Sequence, residues 1–130
     1  MRPVVLIVDD VPDLLQIMEE AIRMAMPDHH VRTASSGFQA REELQEIEAN
    51  GERLTLVLAD QSLGDRQGLH VLAEAQATGA RLVLVTGRAT GAVEREAERL
   101  GATVLWKPFR LQALLEMLRE ERTEPPHESV

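Results

Sequence analysis

Cysteine is absent from the 130 residues, which excludes disulfides and thiolate metal sites and suits a reducing cytosol. Aromatic residues are scarce: two Phe, one Trp and no Tyr. No apolar run approaches the roughly 20 residues needed to cross a bilayer. Arg2 followed by a short strand-like run makes a poor signal peptide. Membrane contact is therefore not expected, and the expected location is the cytoplasm. Positive charge is also in deficit. Fourteen Lys and Arg face 22 Asp and Glu, a formal −8, and direct nucleic-acid binding, which rests on a basic patch, is not expected. Most of that acidity reads as solvated surface, with some carboxylates free to gather at one site.

The length suits one domain with a real core. Apolar runs alternate with amphipathic stretches five times. VVLIV (4–8) reads as a strand, and Asp13 to Met26 spaces Leu14, Met18, Ile22 and Ala25 as a helix face. A weak strand, His30 to Thr33, precedes a helix over Phe38 to Asn50, with Asn50-Gly51 as its stop signal. LTLVLA (54–59), RLVLV (81–85) and TVLW (103–106) are the remaining strands, followed by helices over 69–77, about 90–100 and 111–121. The sequence predicts a domain over 1–121 and a disordered tail over 122–130, where TEPPHESV offers little to bury. Val- and Leu-rich strands alternating with helices imply a parallel sheet covered on both faces, an open doubly wound α/β fold.

Four of these strands end on a polar group: Asp9-Asp10, Asp60, Thr86 and Lys107. Parallel strands share a direction, so these ends should lie on one edge, where doubly wound sheets bind ligands. Three clustered carboxylates need a counter-charge. A hard divalent cation such as Mg²⁺ fits, because it takes oxygen ligands and needs only one or two carboxylates. Lys107 adds a point charge and Thr86 a hydroxyl donor. Such a site can hold a phosphoryl group, and Asp60, at the end of the central strand, is the natural nucleophile for an acyl phosphate.

With these residues in order, the chain from Val4 to about Arg119 resembles a receiver domain of the two-component response regulators. The marks are the acidic pair of VLIVDD, Asp60 in LVLAD, Thr86 and the small Gly87 in LVLVTG, Lys107 in WKPF, and Gly68-Leu69 eight residues after the acceptor. Each motif alone is weak; all of them in order at family spacing are specific. The resemblance implies a flavodoxin-like (βα)5 fold with strand order 2-1-3-4-5. It implies that Asp60 takes a phosphoryl group from a phosphohistidine on a histidine kinase or histidine phosphotransfer domain, in a phosphorelay requiring Mg²⁺, with Mn²⁺ as the alternative ion. Asp10, Asp9, Asp60 and the backbone carbonyl of Ser62 would ligate the metal. Thr86, Gly87 and Lys107 would contact the phosphoryl group and pass its presence to helix four, altering protein contacts. The Lys107–Pro108 bond would be cis, and Ser62 and Arg88 would tune phosphate lifetime.

The departures from the family pattern also carry information. Leu63-Gly64 replaces a common Met/Leu-Pro pair, which loosens the loop without removing a ligand. Asp65 is read as a solvated turn residue rather than a further ligand. Arg88 is left as either a partner for a carboxylate at the site mouth or a solvated side chain. Val104 stands where the family often has the aromatic switch residue. Trp106, one residue before Lys107, should turn to the other strand face from the lysine and is read as packing. Met18, Met24 and Met26 are likewise read as packing, and adjacent His29-His30 make a poor metal site. Alone, the Asp9-Asp10 pair would also read as a helix N-cap.

Three other functions share parts of this pattern. A dehalogenase-type aspartyl-phosphate phosphatase wants Asp-x-Asp-x-Thr after its first strand, which Asp9-Asp10-Val11-Pro12 does not supply. A flavodoxin needs a hydroxyl- and glycine-rich phosphate loop at that point, also missing. A pseudo-receiver, binding proteins without phosphorylation, is opposed by retention of all five key residues. No enzyme activity is expected beyond self-catalysed phosphorylation and dephosphorylation. A stand-alone receiver and the receiver of a hybrid sensor histidine kinase both remain open, the style of LADQSLGDRQGLHVL leaning toward the latter.

Overall fold

The computed structural model describes residues 2–123. Its elements are β1 (Pro3–Val8), α1 (Pro12–Ala25), β2 (His30–Ala34), α2 (Gly37–Ala49), β3 (Arg53–Asp60), α3 (Gly68–Ala75), β4 (Arg81–Thr86), α4 (Gly91–Leu100), β5 (Thr103–Trp106) and α5 (Leu111–Thr123). All strand pairings are parallel, in the order β2-β1-β3-β4-β5. This is the doubly wound, flavodoxin-like arrangement that the alternation and the resemblance implied. Helix α5 runs to Thr123, two residues into the expected tail; the rest of that tail lies outside the described residues.

The two sheet faces carry separate cores. Val4, Leu6, Val8, Val57 and Leu84 pack under α2, α3 and α4, while Val5, Ile7, Leu58, Val83 and Leu105 pack under α1 and α5. One irregularity decides which side chains go where. The β1–β3 register steps from Val4↔Leu54 to Val5↔Leu56, leaving Thr55 unpaired as a bulge. Leu54 thereby joins the α2–α4 core and Leu56 the α1–α5 core, although simple alternation would put both on one face. The Thr55 hydroxyl donates to the Val4 carbonyl at 3.2 Å, so the extra residue leaves no idle acceptor there.

Local chemistry sets the helix starts. Pro12 occupies the first turn of α1, where its missing N–H costs nothing. Ser36 and Thr90 cap α2 and α4 by accepting the Gln39 and Val93 amides. Helix α3 is shorter than the expected 69–77; after Ala75 the chain tightens into a 3₁₀ turn, Gln76–Thr78, that ends on Gly79 at φ +80°.

Among the methionines, Met18 and Met26 are buried as expected, but Met24 is 72% exposed. Its position on α1 turns it away from the sheet, so it does not pack as expected. Trp106 is also a correction: it lies on the strand face opposite Leu105 and is 45% exposed, so its packing is partial. Val104, two residues earlier, rests half-buried against the α2–α4 core.

Candidate functional site

Sheet register brings the strand ends together. β1 and β3 finish side by side through Val8↔Ala59, and β3 meets β4 through Asp60↔Val85. β4 meets β5 through Thr86↔Trp106. The first residues past the strands continue the ladder: Asp9 N–H donates to the Ala34 carbonyl, Gln61 N–H to Val85 and Lys107 N–H to Thr86, at 3.1, 2.9 and 2.8 Å. The edge therefore carries Asp9, Asp60, Thr86 and Lys107 on backbone that is itself pinned. The reversal of strand order falls between β1 and β3, where Asp9 and Asp60 stand.

Asp9 has no exposed surface, Asp60 and Thr86 are buried, and Asp10 is exposed. Ligand oxygens of Asp9, Asp10 and Asp60 lie within 4.8 Å of one another. Lys107 reaches into this group, its Nζ 2.9 Å from Asp60 Oδ1 and 3.8 Å from Asp9 Oδ2. Asp9 Oδ1 accepts the Val11 amide at 2.8 Å, closing a local turn rather than capping α1. Its other oxygen, Oδ2, is buried without a hydrogen-bond donor. Burial pushes the Asp9 carboxyl above its ordinary pKa; the Val11 amide opposes this, and the Asp60 charge adds to it.

These residues fit a hard cation. A buried carboxylate oxygen lacking a donor, beside two more carboxylates and only one ammonium, is short of positive charge. Gly64, at φ +83°, sits beside this group, and a Cβ there would come 3.9 Å from Asp10 Oδ2. Ser62 is exposed and forms an isolated antiparallel bridge with Gln67.

Thr86 is held toward the loop before α4. Its hydroxyl donates to the Arg88 carbonyl at 2.6 Å and accepts the Arg88 amide at 3.1 Å. Gly87 is exposed, and a Cβ there would make ordinary van der Waals contact with Lys107 Cβ at 3.5 Å. The Arg88 side chain is exposed and makes no ion pair among the described residues. The Lys107–Pro108 peptide is cis.

Some site-region roles were not legible in the sequence. Asp65 is an exposed turn residue, as expected, but it also reaches α2: its Oδ1 accepts the Gly37 amide and its Oδ2 the Phe38 amide, at 2.9 and 2.8 Å. Those two bonds hold its carboxyl below the ordinary range. Gln61 caps α3, its Oε1 accepting the Leu69 amide at 3.1 Å. Gly68 lies so close to the Asp60 carbonyl that any Cβ would collide with the Asp60 backbone. The Gly68-Leu69 signal was visible, but its reason was not; Asp65 and Gln61 had no local signal.

The response regulator receiver domain profile matches residues 5–119, and the chain belongs to that family. No sequence match was found among curated proteins. Among solved structures, a CheY-like response regulator receiver domain protein from Methanospirillum hungatei is 28% identical, with a TM-score of 0.77 over 93% of this chain and 94% of that one. Chemotaxis protein CheY4 of Vibrio cholerae has 23% identity and a TM-score of 0.74, over 92% and 98%. The Saccharomyces cerevisiae complex of the histidine phosphotransfer protein Ypd1 with the receiver domain of Ssk1 also matches, at 22% identity and a TM-score of 0.70, over 92% of this chain and 88% of that one. The chain is thus a receiver domain of two-component signalling, with its acidic cluster where the family's phosphoacceptor chemistry belongs. Among the described residues no helix is long and apolar enough to cross a membrane.

Proposed function

We propose that Asp60 is the phosphoacceptor of a phosphorelay, taking its phosphoryl group from a phosphohistidine on a histidine kinase or histidine phosphotransfer domain. One observation carries the reading: the buried Asp9 oxygen without a donor, in a carboxylate cluster served by a single lysine. An Asp60 carboxylate oxygen attacks phosphorus in line. The P–O bond of an acyl phosphate forms as the P–N bond to imidazole breaks, and the imidazole leaves as neutral base once its ring carries a proton. Asp9, Asp10, Asp60 and the Ser62 carbonyl would hold Mg²⁺, which when bound supplies charge neutralisation for the phosphoryl oxygens. Lys107, already 2.9 Å from Asp60, would follow the transferred charge. The Ypd1–Ssk1 complex supports a histidine phosphotransfer domain as a fitting partner.

Output would run through Thr86. Its hydroxyl now shapes the β4–α4 loop by bonding the Arg88 carbonyl. Turning that hydroxyl to a phosphoryl oxygen breaks this bond and releases the loop before α4, biasing a pre-existing conformational pair. No aromatic is needed at position 104 for that step. The domain is proposed to span 1–121 and to act in the cytoplasm, with Arg88 and Ser62 tuning phosphate lifetime from the site mouth.

The test is incubation with Mg²⁺ and acetyl phosphate, read by intact mass, alongside beryllofluoride titration followed by NMR. Wild type is expected to gain one phosphoryl group and shift resonances around Asp60, Thr86 and Lys107, and Asp60→Asn to do neither. Identical behaviour of the two proteins would sink the phosphoacceptor reading and leave a phosphorylation-independent binding module.

A further inference from the structure

The loop from Gln61 to Gln67 leaves the acceptor strand with little intrinsic order. It carries Gly64 at φ +83° where the family often has proline, and glycine loses the most backbone freedom on folding. Its order must come from tertiary contacts, and the structure shows where they are. Ser62 and Gln67 bridge the base of the loop, and Leu63 is buried beneath it. The Asp65 amide donates to the Leu63 carbonyl at 2.9 Å, and the tip then crosses to α2.

There the Asp65 carboxylate accepts the first two amides of the helix, from Gly37 and Phe38, while Ser36 takes the third, from Gln39. The leading N–H groups of α2, which have no partner within the helix, are thereby satisfied, two of them by a residue 27 and 28 positions away. Arg66 completes the seat. Its methylenes lie directly over the Gly37 Cα, where any Cβ would clash, and its Nη1 meets Glu74 of α3 at 3.3 Å.

We infer that Asp65 is a positioning residue for the acceptor site. By clamping the loop tip to α2 it holds in register the segment that presents the Ser62 carbonyl and packs Gly64 beside Asp10. The order that a proline would build into the chain is supplied here by a carboxylate across the fold. This inference rests on the proposed Mg²⁺-dependent receiver site and adds to it a residue that touches neither metal nor phosphoryl group.

The experiment is Mg²⁺ titration calorimetry on the full chain, with chemical denaturation in the absence of metal as a folding control. Asp65→Ala removes both hydrogen bonds and is expected to weaken Mg²⁺ binding by roughly tenfold, the scale of lost outer-sphere support. Asp65→Asn removes the same charge but keeps one acceptor oxygen, so it should recover part of that loss. Gly37→Ala changes no charge and favours the helix intrinsically, yet it pushes Arg66 off its seat. It should weaken binding about two- to threefold, a fraction of the same outer-sphere effect. Wild-type affinity in both Asp65→Ala and Gly37→Ala overturns the clamp. Equal losses in Asp65→Ala and Asp65→Asn, with Gly37→Ala at wild type, also overturn it, because charge alone then accounts for the effect. A wild-type chain that binds no Mg²⁺ overturns the receiver-site reading together with the clamp.

Discussion

Two clusters in this molecule set three carboxylates against one cation. At the strand ends Asp9, Asp10 and Asp60 face Lys107; at the sheet edge Glu43, Glu46 and Glu52 surround Arg32 of β2. Their formal charges match, but their physics differs. The Arg32 guanidinium spreads its donors over all three glutamates at 2.7, 2.8 and 3.1 Å, and the Glu46 side chain is 63% exposed, so water carries the excess charge. Hydrogen bonds to Glu43 and Glu46 raise the Arg32 pKa, keeping it charged throughout. Lys107 is a single point charge that engages Asp60 closely and leaves Asp9 at 3.8 Å, with one oxygen buried and undonated. The Arg32 cluster is satisfied and ties an edge strand to α2. The strand-end cluster is in deficit where burial makes a deficit costly, and that separates it from a structural ion network.

The sharpest way to break this contrast is Asp9→Asn. Mg²⁺ affinity is expected to fall more than tenfold, as for loss of metal-site support. The metal-free fold should gain about 1–2 kcal/mol, the usual cost of a buried polar atom left unpaired. Calorimetry and urea denaturation without divalent ions would measure both. A metal-free variant less stable than wild type would mean that the Asp9 oxygen is not in deficit.

Arg32→Ala should act in the opposite sense. Removing the cation leaves three glutamates facing one another and costs about 1–2 kcal/mol at low salt, less at high salt, because the pairs are partly exposed. Phosphoryl uptake by Asp60 should stay at the wild-type level. An Arg32 variant that alters Mg²⁺ binding would erase the separation between the two clusters.

The smallest effect is in the pH dependence of stability without metal, where two aspartates carry opposite signs. The folded-state pKa of Asp9 is raised, so its unfolded form loses the proton first. Stability is full below the ordinary aspartate pKa and falls as pH rises toward the folded value. The folded-state pKa of Asp65 is lowered, so its contribution is present above the ordinary value and is lost as pH falls through the folded one. Urea denaturation from about pH 3 to pH 7 should show Asp9→Asn removing a downward slope with rising pH and Asp65→Asn removing an upward one. Slopes of one sign in both variants would contradict the assigned environments.

What could be read in advance divides along the range of the interactions. Strand and helix positions followed from apolar runs and helical spacing, because each is a periodicity within a dozen residues. The polar strand ends were legible for the same reason, and parallel topology then placed Asp9, Asp60, Thr86 and Lys107 on one edge. Boundaries moved only slightly: Asp60 proved to be the last residue of β3, and α3 tightened after Ala75. The misreadings concern contacts between distant segments. Met24 fits a helical count yet points to solvent, and Trp106 alternates as expected but is left half-exposed at the end of β5. Asp65 sits in an exposed turn as expected, but its two donors, Gly37 and Phe38, lie 28 and 27 residues away, beyond any local pattern.

The sequence by itself determined the architecture and the inventory of the site, since hydrophobic periodicity and strand direction are local properties that sum to a topology. Only the tertiary structure decided how that inventory is held. The Asp9 oxygen is in deficit because of which groups surround it, Thr86 bonds Arg88 because of how the β4–α4 loop turns, and Asp65 seals α2 because folding brings together residues 28 apart. Hydrogen bonds and burial depend on neighbours in space, and those neighbours exist only once the sheet has formed.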